Sequence, residues 1–341
     1  MPSSFQFKLF NGPFDDPGLF IPFTLEKRAI AFDLGETYSI SPRDILKISH
    51  VFITHTHMDH FIGFDRLLRL FLGRDKILNL YGPEGFIKNI EGKLSAYSWN
   101  LVENFKNKLI LNVTEIRDKY LFTKQYRCEN KFLSEKEKIS KPFTGLLIQR
   151  PAWSVYAVIL DHGIPCLGFS IKERFHISIK KNILSDLGLK PGPWLKKFKE
   201  AVYNNLDKNA FFELECKENG VSTKIVFGDL LKKIALITPG QKVTYITDVI
   251  YSSSNIRKII PFAKNSTHLF IESAFLEQDS NIARKKYHLT ANQAGTIAYM
   301  ANVKNISTFH FSPRYAGKED LIIKEADSAK LGKTLGGEKS I

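Results

Sequence analysis

The sequence has few of the residues that would place it in several common protein classes. It contains 3 cysteines among 341 residues, and Cys128, Cys166 and Cys216 match neither a disulfide framework nor a cysteine zinc site. No apolar run approaches the roughly 20 residues that a membrane span requires. No signal-peptide pattern is evident at the start of the chain, and no internal repeat recurs at a fixed period. We therefore expect a cytoplasmic protein without membrane association.

Acidic residues are outnumbered by basic ones. The 35 Asp and Glu residues face 49 Lys and Arg residues, which gives a formal net charge of +14. Such an excess attracts polyanions, of which nucleic acid is the simplest example. A lysine-rich composition can also produce this charge without any nucleic-acid partner. Charge alone leaves both interpretations open.

Histidine is also scarce, with 9 residues in the chain, yet three of them share one short segment with an aspartate. Within residues 51–66 (VFITHTHMDHFIGFDR) they are His55, His57, Asp59 and His60. Imidazole nitrogens and carboxylate oxygens are the ligands that zinc accepts, together with thiolates. This concentration of them predicts a metal site.

The local pattern explains how these four side chains can bind metal. Residues 51–53 form an apolar run typical of a buried strand, and the apolar residues of 61–72 recur at helical spacing. The cluster therefore falls on a strand-to-helix loop. Alternate residues of an extended chain face the same way, so the first two histidines can bind one ion. The turn that follows presents the aspartate and the third histidine to a second ion.

Three more candidate ligands follow predicted strands. The runs VYAVILD, KVTYIT and ISTF lead into His162, Asp248 and His310. Because strand ends can meet at one edge of a sheet, we expect these side chains to complete a two-metal site. A carboxylate bridge can hold two ions about 3.5 to 4 Å apart. The predicted ligands are His55, His57 and His162 for one ion, Asp59, His60 and His310 for the other, and Asp248 between them.

These segments resemble a known family. The HTHMDH run, His162 within LDHGIPCLGF, Asp248, and His310 within FHFSPRY resemble the metallo-β-lactamase superfamily. Within it they are similar to ribonuclease Z, the tRNA 3′-processing endonuclease, over residues of about 29–317. The resemblance implies an α/β fold, the αββα sandwich of two mixed sheets covered by helices. We expect two divalent ions per chain, with zinc the first choice, although manganese and iron also suit these ligands.

The resemblance also implies a domain organisation. We expect a single metallo-β-lactamase domain over residues 1–341, with an inserted basic arm at about 175–215 and a flexible tail at about 330–341. Residues 119–141 are polar and charged with little periodicity. The family commonly forms homodimers, so a homodimer is expected here.

In ribonuclease Z an arm with a Gly-Pro motif emerges between the third histidine ligand and the bridging aspartate, and it grips the tRNA body. This chain has GLKPGPWLKKFKEA in that interval. The family likeness assigns the turn to Gly192 and Pro193. It assigns phosphate contacts to Lys190, Lys196, Lys197 and Lys199, and an apolar contact to Trp194 or Phe198. An exposed amphipathic hairpin without an RNA role is the alternative.

The family places a proton donor and phosphate-binding groups near the metals. His288, in YHLTANQAG, matches the donor, and Glu272, in FIESAF, matches the glutamate that orients it. Asp59 would bind metal and also orient the nucleophile. Ser312 and Arg314 follow the last histidine ligand closely enough to contact a phosphate. The alternatives are a helix-capping neighbour for the histidine, a surface charge for the glutamate and an internal salt bridge for the arginine.

The chain departs from the family pattern in three places. Its amino-terminal segment reads KLFNGPFDDPGLFIPF where the family has a first strand rich in glycine and threonine. Thr247-Asp248-Val249 stands where Gly-Asp-Thr is common, and Ile271 replaces a histidine before the glutamate. No proposed metal ligand is altered. Asp33, in AFDLGE, resembles a family carboxylate that supports the site from behind.

The predicted function is cleavage of the 3′ trailer of precursor tRNA by a hydroxide activated between two metal ions. One alternative is a hydrolase of a small phosphodiester, ester or lactone, with a narrow pocket and no role for the arm. Another is an RNA-binding relative without catalysis. A non-catalytic protein has no physical need for seven convergent ligands, and a small ester does not use the lysines.

Overall fold

A computed structural model describes residues 4–24, 26–133, 138–215 and 222–332. Cys216 and most of the predicted tail, residues 333–341, lie outside the described residues. None of the described helices is long and apolar enough to cross a lipid bilayer.

Strands provide most of the framework in the described ranges. They are β1 (Lys8–Leu9), β2 (Leu19–Pro22), β3 (Ala29–Phe32), β4 (Ile48–Phe52), β5 (Lys76–Pro83), β6 (Leu109–Arg117), β7 (Tyr120–Arg127), β8 (Lys138–Pro142), β9 (Leu146–Gln149), β10 (Trp153–Asp161), β11 (Pro165–Glu173), β12 (Phe175–Ile179), β13 (Phe211–Glu215), β14 (Ser222–Val226), β15 (Ala235–Pro239), β16 (Lys242–Ile246), β17 (His268–Glu272) and β18 (Asn305–Phe309).

The α-helices in the same ranges connect or cover these strands. They are α1 (Pro42–Ile45), α2 (Met58–Phe61), α3 (Phe64–Phe71), α4 (Phe86–Ser95), α5 (Lys181–Asp186), α6 (Trp194–Tyr203), α7 (Phe227–Ile234), α8 (Ser253–Ala263), α9 (Ser280–Lys285), α10 (Ala291–Met300) and α11 (Glu319–Lys330). Short 3-10 turns lie at Val102–Asn104, Cys128–Asn130, Glu277–Asp279 and Pro313–Tyr315.

Two mixed sheets form the body of the protein. The first runs from β1 to β8 in sequence order and is parallel from β3 to β6. The second has the order β18-β17-β16-β11-β10-β9 and is parallel from β16 to β18. Because β11 is antiparallel to both β10 and β16, β10 runs in the same direction as β16. The carboxyl ends of β10, β16, β17 and β18 therefore meet at one edge of the second sheet.

Apolar side chains separate the body into four layers. One cluster lies between the two sheets and includes the rings of Phe32, Phe52, Phe169 and Tyr245. A second packs α3 and α4 on the outer face of the first sheet. A third packs α8 and α10 on the outer face of the second sheet. Burial of apolar area is the main stabilising term in folding. The predicted αββα sandwich is confirmed.

Residues 175–239, between β11 and β16, form a small unit that we call the inserted module. In it β12 pairs with β15 and β13 pairs with β14. The module has an apolar core of its own, which includes Leu184, Trp194, Phe198, Phe212, Phe227 and Ile234. Helices α5 and α6 lie on either side of the Gly-Pro turn. The module is longer than the predicted arm, because β15 returns to pair with β12.

Two local features differ from what periodicity indicated. The polar stretch of residues 119–141 contains β7 and begins β8, which form the edge of the first sheet. Most side chains of β7 are only half-buried, so an apolar alternation is not required there. The helical spacing of residues 61–72 is divided between α2 and α3. Gly63 lies at the break, where a Cβ would clash with the carbonyl oxygen of Gly35.

Candidate metal centre

Strand direction brings the predicted ligands together. His55 and His57 follow β4, and the other strand-end ligands follow β10, β16 and β18 at the common edge of the second sheet. Functional groups of α/β proteins commonly gather where strands end at their carboxyl side. Residues more than 250 positions apart, such as Asp59 and His310, are consequently in contact, with His310 Nε2 3.1 Å from Asp59 Oδ2.

One group of donor atoms comes from His55, His57, His162 and Asp248. Their donor atoms all lie within 4.8 Å of one another. The Nε2 atoms of His55 and His162 are 3.5 and 3.6 Å from Asp248 Oδ2. Three imidazoles and one carboxylate at this spacing match the set predicted for the first ion.

The second group consists of Asp59, His60 and His310, again with donor atoms within 4.8 Å of one another. Asp248 contacts this group as well. Its Oδ2 lies 3.4 Å from His60 Nε2, and its Oδ1 lies 3.3 Å from His310 Nδ1. The Asp248 carboxylate therefore lies between the two groups, as a bridging ligand must.

Three buried nitrogens test whether these residues fit a metal. His55 Nε2, His60 Nε2 and His310 Nδ1 have no hydrogen-bond partner in the part of the chain that the structure describes. A buried polar atom without a partner costs about 1 to 3 kcal/mol, and a bound ion is one of the ways in which that cost is met. Each of these nitrogens belongs to a predicted ligand, and the donor set suits divalent ions such as zinc. The residues fit the metals.

Asp33 supports the second group from behind. It is fully buried, and its Oδ2 lies 2.9 Å from His60 Nδ1 and accepts a hydrogen bond from the Tyr245 hydroxyl at 3.1 Å. Its Oδ1 accepts from the Thr54 backbone N–H at 2.7 Å. A carboxylate at one ring nitrogen fixes the tautomer and directs the other nitrogen to the metal. The sequence indicated this supporting role for Asp33.

Tyr287 supports the first group through its backbone. His162 Nδ1 donates a hydrogen bond to the Tyr287 carbonyl oxygen at 2.9 Å, which leaves Nε2 directed at Asp248. Sequence reasoning missed this contact, because a backbone oxygen carries no residue-type signal.

Several residues of the site have unusual backbone conformations. Asp33, Asp248, Tyr287 and His310 have φ values of 56°, 47°, 61° and 60°. Positive φ is uncommon outside glycine, and such outliers cluster at functional sites where the surrounding structure holds them. Two of these residues, Asp248 and His310, are candidate ligands, and the other two accept hydrogen bonds from His60 and His162.

The electrostatics of the centre favour the neutral imidazole at His55 and His57 and the charged carboxylate at Asp248, whereas Asp248 and Asp33 raise the pKa of His60 despite its burial. Burial, with a smaller contribution from His60, lowers the pKa of His55 to about 2, and burial also lowers the pKa of His57. Neutral imidazole is the form that binds metal. Burial opposes the negative charge of Asp248, but attraction to His310 and His60 outweighs it and holds the pKa of Asp248 well below its usual range.

His288 and Glu272 form a pair beside the ligands. His288 Nδ1 lies 2.9 Å from Glu272 Oε2, while Glu272 Oε1 accepts from the Val249 N–H at 2.7 Å. Burial opposes the charged imidazole, but the Glu272 carboxylate outweighs it and raises the pKa of His288 to about 9. His288 and Glu272 also belong to an overlapping donor group with Asp248 and His310. The structure thus brings the predicted proton donor and its glutamate together beside the candidate metal ligands.

A cleft of about 190 Å³ opens beside the centre. Asp59, His288 and His310 line it, together with Ser312 and residues that sequence reasoning did not assign to the site, which are Phe14, Asp15, Asp16 and Lys286. The divergent amino-terminal segment is held there, because the Phe311 N–H donates to the Pro13 carbonyl oxygen at 2.7 Å. The sequence offered one indication that Lys286 lies at the cleft, which is its position two residues before His288.

Comparison with known proteins decides the family. The ribonuclease Z of Bacillus cereus strain G9842 is 30% identical over 311 residues, which cover 86% of this chain and 82% of the relative. The ribonuclease Z of Pyrococcus horikoshii is 30% identical over 303 residues, covering 85% and 79%. The chain belongs to the ribonuclease Z family. Ribonuclease Z of Deinococcus radiodurans is 27% identical over 283 residues, covering 82% and 81%. No family model matches the chain.

Solved structures show the same fold. The metallo-β-lactamase fold protein YhfI from Bacillus subtilis has a TM-score of 0.52 and 14% identity, over 95% of this chain and 92% of its own. The short form of human tRNase Z has a TM-score of 0.51 and 17% identity, over 91% and 93%. At these identities the likeness concerns the metallo-β-lactamase fold alone.

The two phosphate-binding residues predicted near His310 are placed differently. Ser312 lines the cleft beside the metal centre. Arg314 Nη1 lies 3.5 Å from Asp279 Oδ1, and its guanidinium is 5.6 Å from the ring centroid of Phe275. In this structure Arg314 therefore makes the internal salt bridge that the sequence left as an alternative.

Some residues of the module's Gly-Pro region that were predicted to contact RNA are exposed, and others are buried in the core of the module. Lys190, Pro193, Lys196 and Lys197 are exposed, and Gly192 is half-buried. The expectation for Trp194, Phe198 and Lys199 is wrong, since these side chains are buried, with exposed fractions of 7%, 0% and 7%. The physical reason is that the module needs its own core, and α6 supplies one side of it.

Proposed function

We propose that this chain is a metal-dependent endoribonuclease that removes the 3′ trailer of precursor tRNA. One observation carries the proposal. The Asp248 carboxylate lies within 3.6 Å of nitrogens from four histidines that belong to two donor groups. Membership of the ribonuclease Z family supports the choice of RNA as substrate. The net charge of +14 also suits a polyanion.

The two donor groups would hold two divalent ions, with zinc proposed. His55, His57 and His162 would hold one ion, Asp59, His60 and His310 the other, and Asp248 would bind both. Such ions polarise a phosphodiester and lower the pKa of a bound water to near neutrality.

The chain's own residues complete the reaction. Asp59, whose side chain is 38% exposed at the cleft, would accept a hydrogen bond from the attacking water and orient it. As the bond between phosphorus and the 3′ oxygen breaks, His288 would give its proton to that oxygen. The products are a 3′ hydroxyl on the upstream RNA and a 5′ phosphate on the trailer. Glu272 would keep His288 protonated and oriented, and such a positioned acid contributes about 100- to 10,000-fold.

RNA binding would involve the surface as well as the cleft. We assign phosphate contacts to Lys190, Lys196 and Lys197, with the turn shaped by Gly192 and Pro193. Ser312 would contact a phosphate near the scissile bond. Arg314 would do the same if substrate drew its guanidinium from Asp279, which is 3.5 Å away.

We also propose a cytoplasmic homodimer. The cysteine usage supports the reducing compartment, since Cys128 and Cys166 are buried free thiols. The family resemblance supports the dimer. Light scattering should give twice the 39.0 kDa of one chain, and a monomer at all concentrations would contradict this assignment.

The test is cleavage of a precursor tRNA with a 3′ extension by the intact protein and by Asp59→Ala, with the new RNA ends mapped. We expect cleavage at the trailer junction by the intact protein, and none by a folded Asp59→Ala variant. If RNA is not cleaved but a small phosphodiester, ester or lactone is hydrolysed, the proposal is wrong and the small-substrate alternative holds. RNA binding without any hydrolysis would instead indicate a non-catalytic relative.

A further inference from the structure

A second cleft, of about 690 Å³, lies where the inserted module meets the sandwich. Three exposed cationic side chains line it, those of Arg150, Lys172 and Arg174. Uncharged polar residues such as Ser154, Tyr156 and Asn204 complete the wall, and none of the described residues that line the cleft is acidic. The cleft therefore concentrates positive charge without internal compensation.

The strand register shows that this charge costs stability. Lys172 of β11 lies directly opposite Lys242 of β16, and like charges in that arrangement are destabilising. Burial and the nearby Lys172 lower the pKa of Lys242 to about 8. Lys242 Nζ is held by backbone carbonyl oxygens of Phe262 and Lys264. Among the described residues, Lys172 has no carboxylate partner.

The acidic residue next in sequence does not compensate the cleft. Glu173 is 1% exposed, and alternate residues of a strand face opposite sides. Its carboxylate accepts hydrogen bonds from the backbone N–H groups of Ser4 and Gln241 at 3.0 and 3.2 Å. Glu173 therefore connects the amino-terminal segment to the residues that follow the module, and its charge does not face the cleft.

Arg174 links the two walls of the cleft. Its guanidinium donates to the Tyr203 carbonyl oxygen at 3.0 Å and to Asn205 Oδ1 at 3.1 Å, at the end of α6. No carboxylate in the described residues neutralises it, so its charge is available to a ligand in the cleft. An arginine offers planar, directional donors that suit phosphate oxygens.

The cleft lies far from the metals. Strand β10 begins beside it at Trp153–Ser154 and ends at Asp161, directly before the ligand His162. At about 3.3 Å per residue, the lining residues Ser154 and Tyr156 lie roughly 26 and 20 Å along the strand from His162. A small phosphodiester cannot occupy both sites, whereas an RNA of tRNA size can.

We propose that this cleft binds backbone phosphates of the RNA substrate at a distance from the cleavage site. The inference rests on the proposed function and extends it. Clustered cations without carboxylates attract phosphates independently of sequence, and such contacts position the nucleic acid. A phosphate bound beside Lys172 would supply the negative charge that the facing lysines Lys172 and Lys242 lack.

The test compares the intact protein with a double variant, Arg150→Gln and Lys172→Gln. Its control replaces Lys106 and Lys304, two exposed lysines that line neither cleft, with glutamine. Binding of a 3′-extended precursor tRNA is measured across a salt series, along with hydrolysis of bis(p-nitrophenyl) phosphate. We expect Kd to rise about tenfold at low salt and the slope of log K against log salt to shrink by about 2 in the double variant. Small-phosphodiester turnover should not change.

The structure also predicts that the double variant melts at a temperature no lower than the wild type, because a repulsion is removed. If the double variant cleaves the precursor with an unchanged Kd and salt slope, the cleft does not bind the RNA. The proposed function would then still hold. A loss of small-phosphodiester turnover would also count against it, since the variant would then be acting on the fold or the metals. A wild-type protein that neither binds nor cleaves the precursor would overturn both proposals.

Discussion

The candidate metal centre and the inserted module place the side chains to which we assign functions in opposite environments. His55 and His60 are fully buried, and Asp248 is 2% exposed, whereas the Lys196 side chain of the module is 52% exposed. Hydrogen bonds to the Asp33 carboxylate and the Tyr287 carbonyl oxygen fix the imidazoles of His60 and His162 in the centre. Chemistry at a phosphorus atom requires fixed positions, while attraction of phosphates requires only charge of the right sign. Single substitutions should therefore have large effects in the centre and small, additive ones on the module.

The largest effect is expected for Asp248→Asn. The substitution keeps the shape but removes the shared negative charge between the two donor groups. We expect kcat to fall at least about 1000-fold, since metal-ion stabilisation is worth several kcal/mol, and bound metal to be lost on dialysis. RNA cleavage and metal content are the measurements. Asp161→Asn, at the exposed end of β10, is the control and should be near wild type. If the activity of Asp248→Asn stays within tenfold of wild type, Asp248 is not a bridging metal ligand.

His288→Gln tests proton donation inside the centre. Loss of a positioned acid should lower kcat on RNA by about 100-fold or more while leaving metal content unchanged. Hydrolysis of bis(p-nitrophenyl) phosphate should persist, because p-nitrophenolate leaves without protonation. Glu272→Gln should show a smaller loss, about 10- to 100-fold. Equal losses on both substrates, with loss of metal, would make His288 a ligand instead of an acid.

Phe198→Ala tests whether the two regions are energetically separable. Phe198 is fully buried in the core of the module, so its truncation should cost about 3 to 5 kcal/mol locally. Proteolysis should then cut within residues 175–239, while small-phosphodiester turnover stays near wild type. Phe211→Ala is the matched control, since Phe211 is 66% exposed on β13. If Phe198→Ala unfolds the module and also abolishes small-phosphodiester turnover, the module and the metal centre fold as one cooperative unit.

The smallest effect is expected for the module surface. Replacing Lys190, Lys196 and Lys197 with glutamine should raise KM for precursor tRNA about tenfold and reduce the salt slope by about 3, with kcat unchanged. Steady-state kinetics across a salt series measure both quantities. An unchanged KM at low salt would show that the Gly-Pro region is an exposed hairpin without a role in RNA binding.

The convergence of the candidate metal ligands could be predicted from the sequence because their residue types are scarce and their positions follow strands. His162, Asp248 and His310 each end an apolar run, and parallel strands bring such ends together. The supporting contact from the Tyr287 carbonyl could not be predicted, because it depends on a backbone φ of 61° and not on a side chain.

The inserted module was harder to predict for a different reason. Its end at β15 is recognisable only from pairing with β12, which lies about 60 residues earlier in the chain. The family likeness assigns a phosphate contact to Lys199, yet its neighbour Phe198 is fully buried and the Lys199 side chain is itself 7% exposed. A long aliphatic stem can cover apolar surface, so charge alone does not decide which side of α6 is exposed.

The most direct test of the central claim is the number of metal ions bound per active chain. Metal analysis of the purified protein, titrated against cleavage of precursor tRNA, should give two divalent ions per fully active chain, and fewer in Asp248→Asn with a parallel loss of cleavage. Full activity with one ion or none per chain would contradict the two-metal centre.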